Sequence, residues 1–211
     1  MRPIGEGGAT ASNCPFRVPA DRAHFFSSKM KHEIVALPAW QLIGISKEIA
    51  FNEAEQACPA FWGYYFENLI RPIVMEGKEP TPQQAAALAH GVGEYGYCLC
   101  DQDDHCCDTC GERNFTPCNA RKFTYVIGGR YQGGEVPEGL ALYPIAARRW
   151  LKVQFEGGLP AFAAQRAKLY GERLPQHPEF VWDGYTACLE WYSQGDVASP
   201  DYAYGLMLPL V

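Results

Sequence analysis

Apolar and polar positions alternate along this chain with two periods, and the change from one to the other marks out its elements. Residues 32–51, HEIVALPAWQLIGISKEIAF, read as a β-rich stretch interrupted by Pro38. Proline cannot donate to a ladder, so it marks a bend or an edge position. Cys58, Phe61, Trp62, Tyr65 and Leu69 then recur at spacings of three and four, one face of a helix. Pro59 suits the first turn of that helix, and Arg71-Pro72 ends it. A weaker helical pattern covers residues 83–89. Two strands follow at 94–99 and 122–127, with a cysteine-rich loop, residues 98–118, between them.

The second half repeats this order. Residues 142–155 form a strand region with its own proline, Pro144, and there Leu151, Val153 and Phe155 alternate with Trp150, Lys152 and Gln154. Leu159, Phe162, Ala163, Leu169 and Tyr170 share one helical face, with Pro160 in the first turn. Two last strands are expected at 182–192 and 202–210. Pro38 and Pro144 stand 106 positions apart, each followed by strand and then helix, although the two halves share almost no sequence. The expected fold is therefore α+β: two pseudo-repeated β-α-β-β modules in residues 31–211, with antiparallel sheets. The helices near 59–70 and 159–173 should lie on one side of the sheet, with a ligand cleft at their seam.

Composition agrees with one folded body. Of the 211 residues, 47% are hydrophobic and 20% charged, ordinary shares for a globular domain. Residues 1–30 are rich in Gly, Ala, Ser and Pro without periodicity and read as a flexible extension. A net charge of −6 with no Lys/Arg run argues against direct nucleic-acid binding. No run approaches the ~18 apolar residues of a membrane helix, and the amino terminus has no secretory h-region. A cytoplasmic location is expected, with the nine cysteines mostly thiols or metal ligands.

Several segments, taken in order, resemble the GyrI-like family of small-molecule-binding domains. They are EIVALPAWQLIGISKEI, FWGYYFENL, FTYVIGGRY with the Pro137–Gly139 turn after it, and LEWYSQGDVASPDYAYGLMLPLV. Together they span residues 31–211. The family shares its fold with the effector-binding domains of AraC-type and MerR-type regulators. The resemblance implies a cleft for drug-like, often cationic, ligands and places the family's central acidic residue at Glu190. It also implies an alternative, since some stand-alone members resemble hydrolases that open strained cyclopropane rings. No helix-turn-helix is expected before the domain, and the cysteine loop is not part of the family pattern.

Alternation puts Cys188, Glu190 and Tyr192 on one strand face. A carboxylate among apolar neighbours is costly unless answered by a ligand or by hydrogen bonds. The candidate ligand-binding residues are Glu190, Trp62, Tyr65, Tyr125, Trp150 and Tyr192. Glu190 is also the candidate catalytic base under the hydrolase reading. No G-x-S-x-G, H-E-x-x-H, phosphate or dinucleotide motif occurs. In the loop, Cys107-x-x-Cys110 has zinc-knuckle spacing and Cys98-x-Cys100 could complete a tetrahedral set. Plain thiols or disulfides are the competing reading, and a metal- or redox-responsive interaction protein is the third functional class. No cofactor is required by the leading reading.

Overall fold

In a computed structural model the described residues are 31–99, 122–182 and 188–211. The amino-terminal extension lies outside them, as do Cys100, Cys107 and Cys110. Eight strands occur in chain order: β1 (His32–Leu37), β2 (Trp40–Ala50), β3 (Tyr95–Leu99), β4 (Lys122–Arg130), β5 (Ala141–Ile145), β6 (Arg148–Phe155), β7 (Leu189–Tyr192) and β8 (Tyr204–Pro209). They form one sheet in the order β1-β6-β8-β7-β3-β4-β2-β5. Every neighbouring pair is antiparallel.

That order contains the expected repeat. In the first module β4 lies between β2 and β3, and in the second β8 lies between β6 and β7. The modules meet where β3 pairs with β7. The strand preceding each module crosses to the other one: β1 is the edge beside β6, and β5 the edge beside β2. The prolines sit at these crossings. Pro38 separates β1 from β2, and Pro144 lies inside β5, an edge strand where its missing N–H is tolerated. The stretches at 32–51 and 142–155, each one strand region by pattern, are thus two strands apiece that run to different modules.

Helix α1 (Ala54–Tyr65) continues through a wide π turn, Phe66–Ile70, into α2 (Arg71–Val74). Helix α3 (Pro82–Ala89) is closed by a reciprocal capping box between Thr81 and Gln84. Helix α4 (Phe162–Lys168) also widens into a π turn, Leu169–Arg173. α1 packs on Ile43, Ile45, Phe123, Tyr125 and Ile127, and α4 packs near Leu151, Phe155, Tyr204 and Leu206. Register across the seam runs Ile127–Gly96–Glu190–Leu206, so both helices cover the same face.

No described helix covers the other face, yet its centre is dry. Trp40, Leu42, Tyr97, Val126, Ile145, Trp150, Leu189 and Met207, drawn from seven strands, form one buried cluster there. A flat sheet would leave them in water, so the sheet has to curl around them. The chain requires the same thing: Leu37 ends the edge strand β1, and Trp40 begins β2, the strand next to the opposite edge. Three residues reach only about 10 Å, which brings those ends together. The result is a curled half-barrel with the helices outside.

Candidate functional site

The seam between β3 and β7 holds the only acidic side chain among the buried residues described. Glu190 is 7% exposed. It stands on the helix face because alternation along LEWY sends Leu189 and Trp191 to the inner face. A bare carboxylate at this depth would cost several kcal/mol. Two phenols answer it. Tyr125 Oη donates to Glu190 Oε2 at 2.5 Å, and Tyr192 Oη donates to the same oxygen at 2.8 Å. The Trp62 indole N–H donates in turn to Tyr125 Oη at 2.9 Å. Glu190 Oε1 receives no hydrogen bond from any described residue.

Each partner arrives from a different element. Tyr125 comes from β4, one strand beyond β3, and reaches Glu190 over Gly96. A Cβ at position 96 would overlap both Glu190 Oε2 and the Tyr125 hydroxyl, so glycine is what lets the pair close across β3. Tyr192 lies two positions along β7 from Glu190. Trp62 comes from α1 and is half-buried. It meets Tyr192 edge-on at 5.0 Å and Tyr65 edge-on at 5.7 Å. Burial and the Glu190 charge push both phenols well above the usual tyrosine range, so both remain O–H donors at any physiological pH.

Three thiols share this neighbourhood: Cys58 on α1, Cys98 on β3 and Cys188 just before β7. Burial, then the Glu190 charge, raises Cys58 to about 12 and Cys98 well above its ordinary value. Cys58 and Cys98 are therefore neutral, apolar walls, not nucleophiles. Arg166 on α4 is the cation whose field reaches Glu190, Cys58 and Cys98. Burial works against its charge, and Cys188, Tyr170, Glu190 and Cys98 more than restore it.

The sequence candidates divide accordingly. Trp62, Tyr125, Glu190 and Tyr192 come together. Tyr65 borders them through Trp62, but its hydroxyl is spent on the Val92 carbonyl. Trp150 does not join them. It is 1% exposed in the inner cluster, on the opposite face of the sheet. Its polar-looking strand neighbours face the inside of the curl, and that is why it resembled an unpartnered ring in the sequence. Gly96, Cys58, Cys188 and Arg166 were not singled out as site residues. Alternation had placed Cys188 beside Glu190, but nothing in the sequence pairs Gly96 or Arg166 with either. Of the expected zinc set only Cys98 is described, and it turns toward the Glu190 face. Among the described residues no group of three or more His, Cys, Asp or Glu side chains could hold a metal ion. No described helix is long and apolar enough to cross a membrane.

Fold and site together define an α+β domain of two modules around a seam with a buried acid. Solved structures similar to it include the following two. SAV2435 bound to tetraphenylphosphonium matches with a TM-score of 0.59 at 16% identity, over 86% of this chain and 94% of that one. A Staphylococcus aureus MU50 protein named for bacterial transcription regulation matches with a TM-score of 0.59 at 16% identity, over 86% of this chain and 99% of that one. The fold is that of a GyrI-like domain, as the sequence segments led one to expect. No protein-family model and no curated protein matches the sequence.

Proposed function

We propose that this protein binds small lipophilic cations at the seam of its two modules, with Glu190 as the acceptor and Trp62, Tyr125 and Tyr192 as the aromatic wall. The observation that carries this reading is the lopsided solvation of the carboxylate. Both phenols donate to Oε2, which leaves Oε1 with no described hydrogen-bond partner. Two fixed donors hold the carboxylate in place and leave one oxygen for a ligand. Rings flanking an acid are the usual recognition set for flat or bulky cations. SAV2435, a structure of the same fold, is bound to tetraphenylphosphonium, which is a bulky lipophilic monocation.

Trp62 now fills the space beside Tyr192. Trp62 and Tyr192 are both half-buried, but Trp62 stands on a helix, outside the sheet ladder that fixes Tyr192, and is therefore the one able to yield its place. A ligand enters by displacing the Trp62 ring and takes over its contact with Tyr192. Arg166 limits the charge the site tolerates: a monocation is favoured by Glu190, while a dication would also meet the guanidinium field.

Titration calorimetry with tetraphenylphosphonium and with neutral triphenylphosphine oxide tests the reading. Removing one partner of a desolvated charge pair costs about 2–5 kcal/mol, so Glu190→Gln should lower phosphonium affinity roughly 30-fold or more. Affinity for the neutral oxide should barely change. Equal losses for both compounds would make Glu190 structural, and no loss for either would place the site elsewhere.

A further inference from the structure

The same strand that carries Glu190 forms the floor of a second concavity, on the inner face of the curl. A cavity of about 200 Å³ opens there, lined by Val35, Leu37, Tyr95, Lys152, Trp191 and Met207. Glu94 and Tyr192 border it too; alternation along β7 sends the Tyr192 side chain to the helix face, and the Glu94 carboxylate, just before β3, lies beside Gly91. The lining comes from β1, β3, β6, β7 and β8, so the cavity exists only because the sheet curls.

Its chemistry is the reverse of the Glu190 site. The Lys152 ammonium lies 4.6 Å from the Trp191 ring centroid. That ring is held flat against the sheet by its own N–H, which donates to the Val153 carbonyl at 3.1 Å. Lys152 is paired at 3.0 Å with Glu33, whose side chain is 59% exposed at the rim. An ion pair with so exposed a partner is weak and readily exchanged. At the other end, burial and then the charge of Glu94 keep the Tyr95 phenol protonated, and Arg130 acts on it more weakly in the opposite sense. Arg130 also covers Trp40 at 5.4 Å, and Trp40 touches Tyr95 at 5.4 Å. The cavity thus has an aromatic floor, aliphatic walls from Val35, Leu37 and Met207, the Lys152 cation at one end, and at the other a phenol with Glu94 and Arg130 on either side of it.

We propose that this inner cavity is a second binding site, for a small planar aromatic carboxylate whose ring stacks on Trp191 and whose charge replaces Glu33 as the partner of Lys152. The volume is below the ~300–1,000 Å³ of drug-sized sites and suits one or two fused rings. Three residues of LEWY then serve two sites of opposite preference: Glu190 and Tyr192 outward for a cation, Trp191 inward for an anion. This proposal does not rest on cation binding at Glu190.

Titration calorimetry with 1-naphthoate and with neutral 1-naphthamide tests it, alongside tetraphenylphosphonium. The acid should bind at least tenfold more tightly than the amide. Lys152→Gln, a substitution at a half-exposed side chain, should lower naphthoate affinity on the order of tenfold, the usual worth of a charge-assisted hydrogen bond. It should leave phosphonium binding unchanged. Glu190→Gln should leave naphthoate binding unchanged. In the unmutated protein, naphthoate should shift the Trp191 indole N–H resonance, a readout that needs no variant. The proposal is overturned if naphthoate gives no binding heat at millimolar concentration, if acid and amide bind alike, or if naphthoate binding is lost in Glu190→Gln and kept in Lys152→Gln.

Discussion

At the scale of single residues, the site is a story of one buried charge and what neutralises it. Glu190 was pointed to by the family resemblance of LEWY, and alternation added the face it shares with Cys188 and Tyr192. Tyr192 followed from the same alternation. Tyr125 stands 65 residues away, and its pairing with Glu190 depends on two strand registers and on the missing side chain of Gly96. No local pattern encodes that. Trp150 shows the opposite limit: alternation assigned its face correctly, but whether a face is wet depends on curvature. The buried phenols carry a stability consequence. Their pKa values are raised in the folded protein, Tyr65 from 10.0 to about 12, and Tyr125 and Tyr192 well above the ordinary tyrosine value, in each case first by burial. Below pH 10 both folded and unfolded states hold these protons, so the contribution is fully present. Above pH 10 the unfolded chain releases them first, so stability falls as pH rises from 10 through 12. Each such tyrosine contributes a slope of up to about 1.4 kcal/mol per pH unit. Urea unfolding between pH 9 and 12 should show this decline, and Tyr65→Phe should make it shallower. An unchanged slope in that variant would mean that Tyr65 titrates normally.

At the scale of elements, periodicity located the helices and most strands, and the errors have physical causes. The helix read from residue 59 begins at Ala54 and runs past Arg71-Pro72 into α2, because a π turn at Phe66–Ile70 absorbs the register change. Such a turn has no sequence signature of its own. The expected strand at 182–192 is short, β7 covering Leu189–Tyr192, while Trp182 makes an isolated bridge to Leu210. Helix α3 was the weakest pattern, and it is the element with the best local signal. Thr81-Pro82-Gln83-Gln84 provides a capping residue, a proline in the first turn and a reciprocal glutamine. Gln84 also reaches the Asn68 carbonyl at 2.7 Å, tying α3 to the π turn that follows α1. Thr81→Ala removes the cap acceptor and should destabilise the protein by about 1 kcal/mol. Chemical denaturation measures this, and Thr81→Ser should restore most of it. A loss in Thr81→Ser equal to that in Thr81→Ala would assign the effect to the lost methyl group instead.

At the scale of the molecule, the exchanged edge strands decide how the two halves depend on each other. The repeat was legible, but the exchange was not, because a strand followed by a two-residue connection reads as a hairpin or a bend. Here β1 and β2 do not pair with each other. Each half takes one edge from the other, and the inner cluster draws on both: Trp40, Leu42, Tyr97 and Val126 from the first, Ile145, Trp150, Leu189 and Met207 from the second. Split between β4 and β5, the first piece would carry β1 without its partner β6, and β2 would lose β5. The second piece would leave the β6 edge open, and Trp150 would lie exposed on an uncovered sheet face. Open apolar edges and faces of this kind aggregate. The intact chain should therefore unfold in a single cooperative step, with circular dichroism and tryptophan fluorescence giving the same midpoint. Fragments 31–138 and 139–211, produced separately, should be unfolded or aggregated. Mixed from denaturant, they should recover the native sheet signal, and the seam site with it, since Glu190 comes from one fragment and Tyr125 and Trp62 from the other. If either fragment alone showed a cooperative transition, the exchanged strands would be peripheral, and the seam would be an interface between two independent folds.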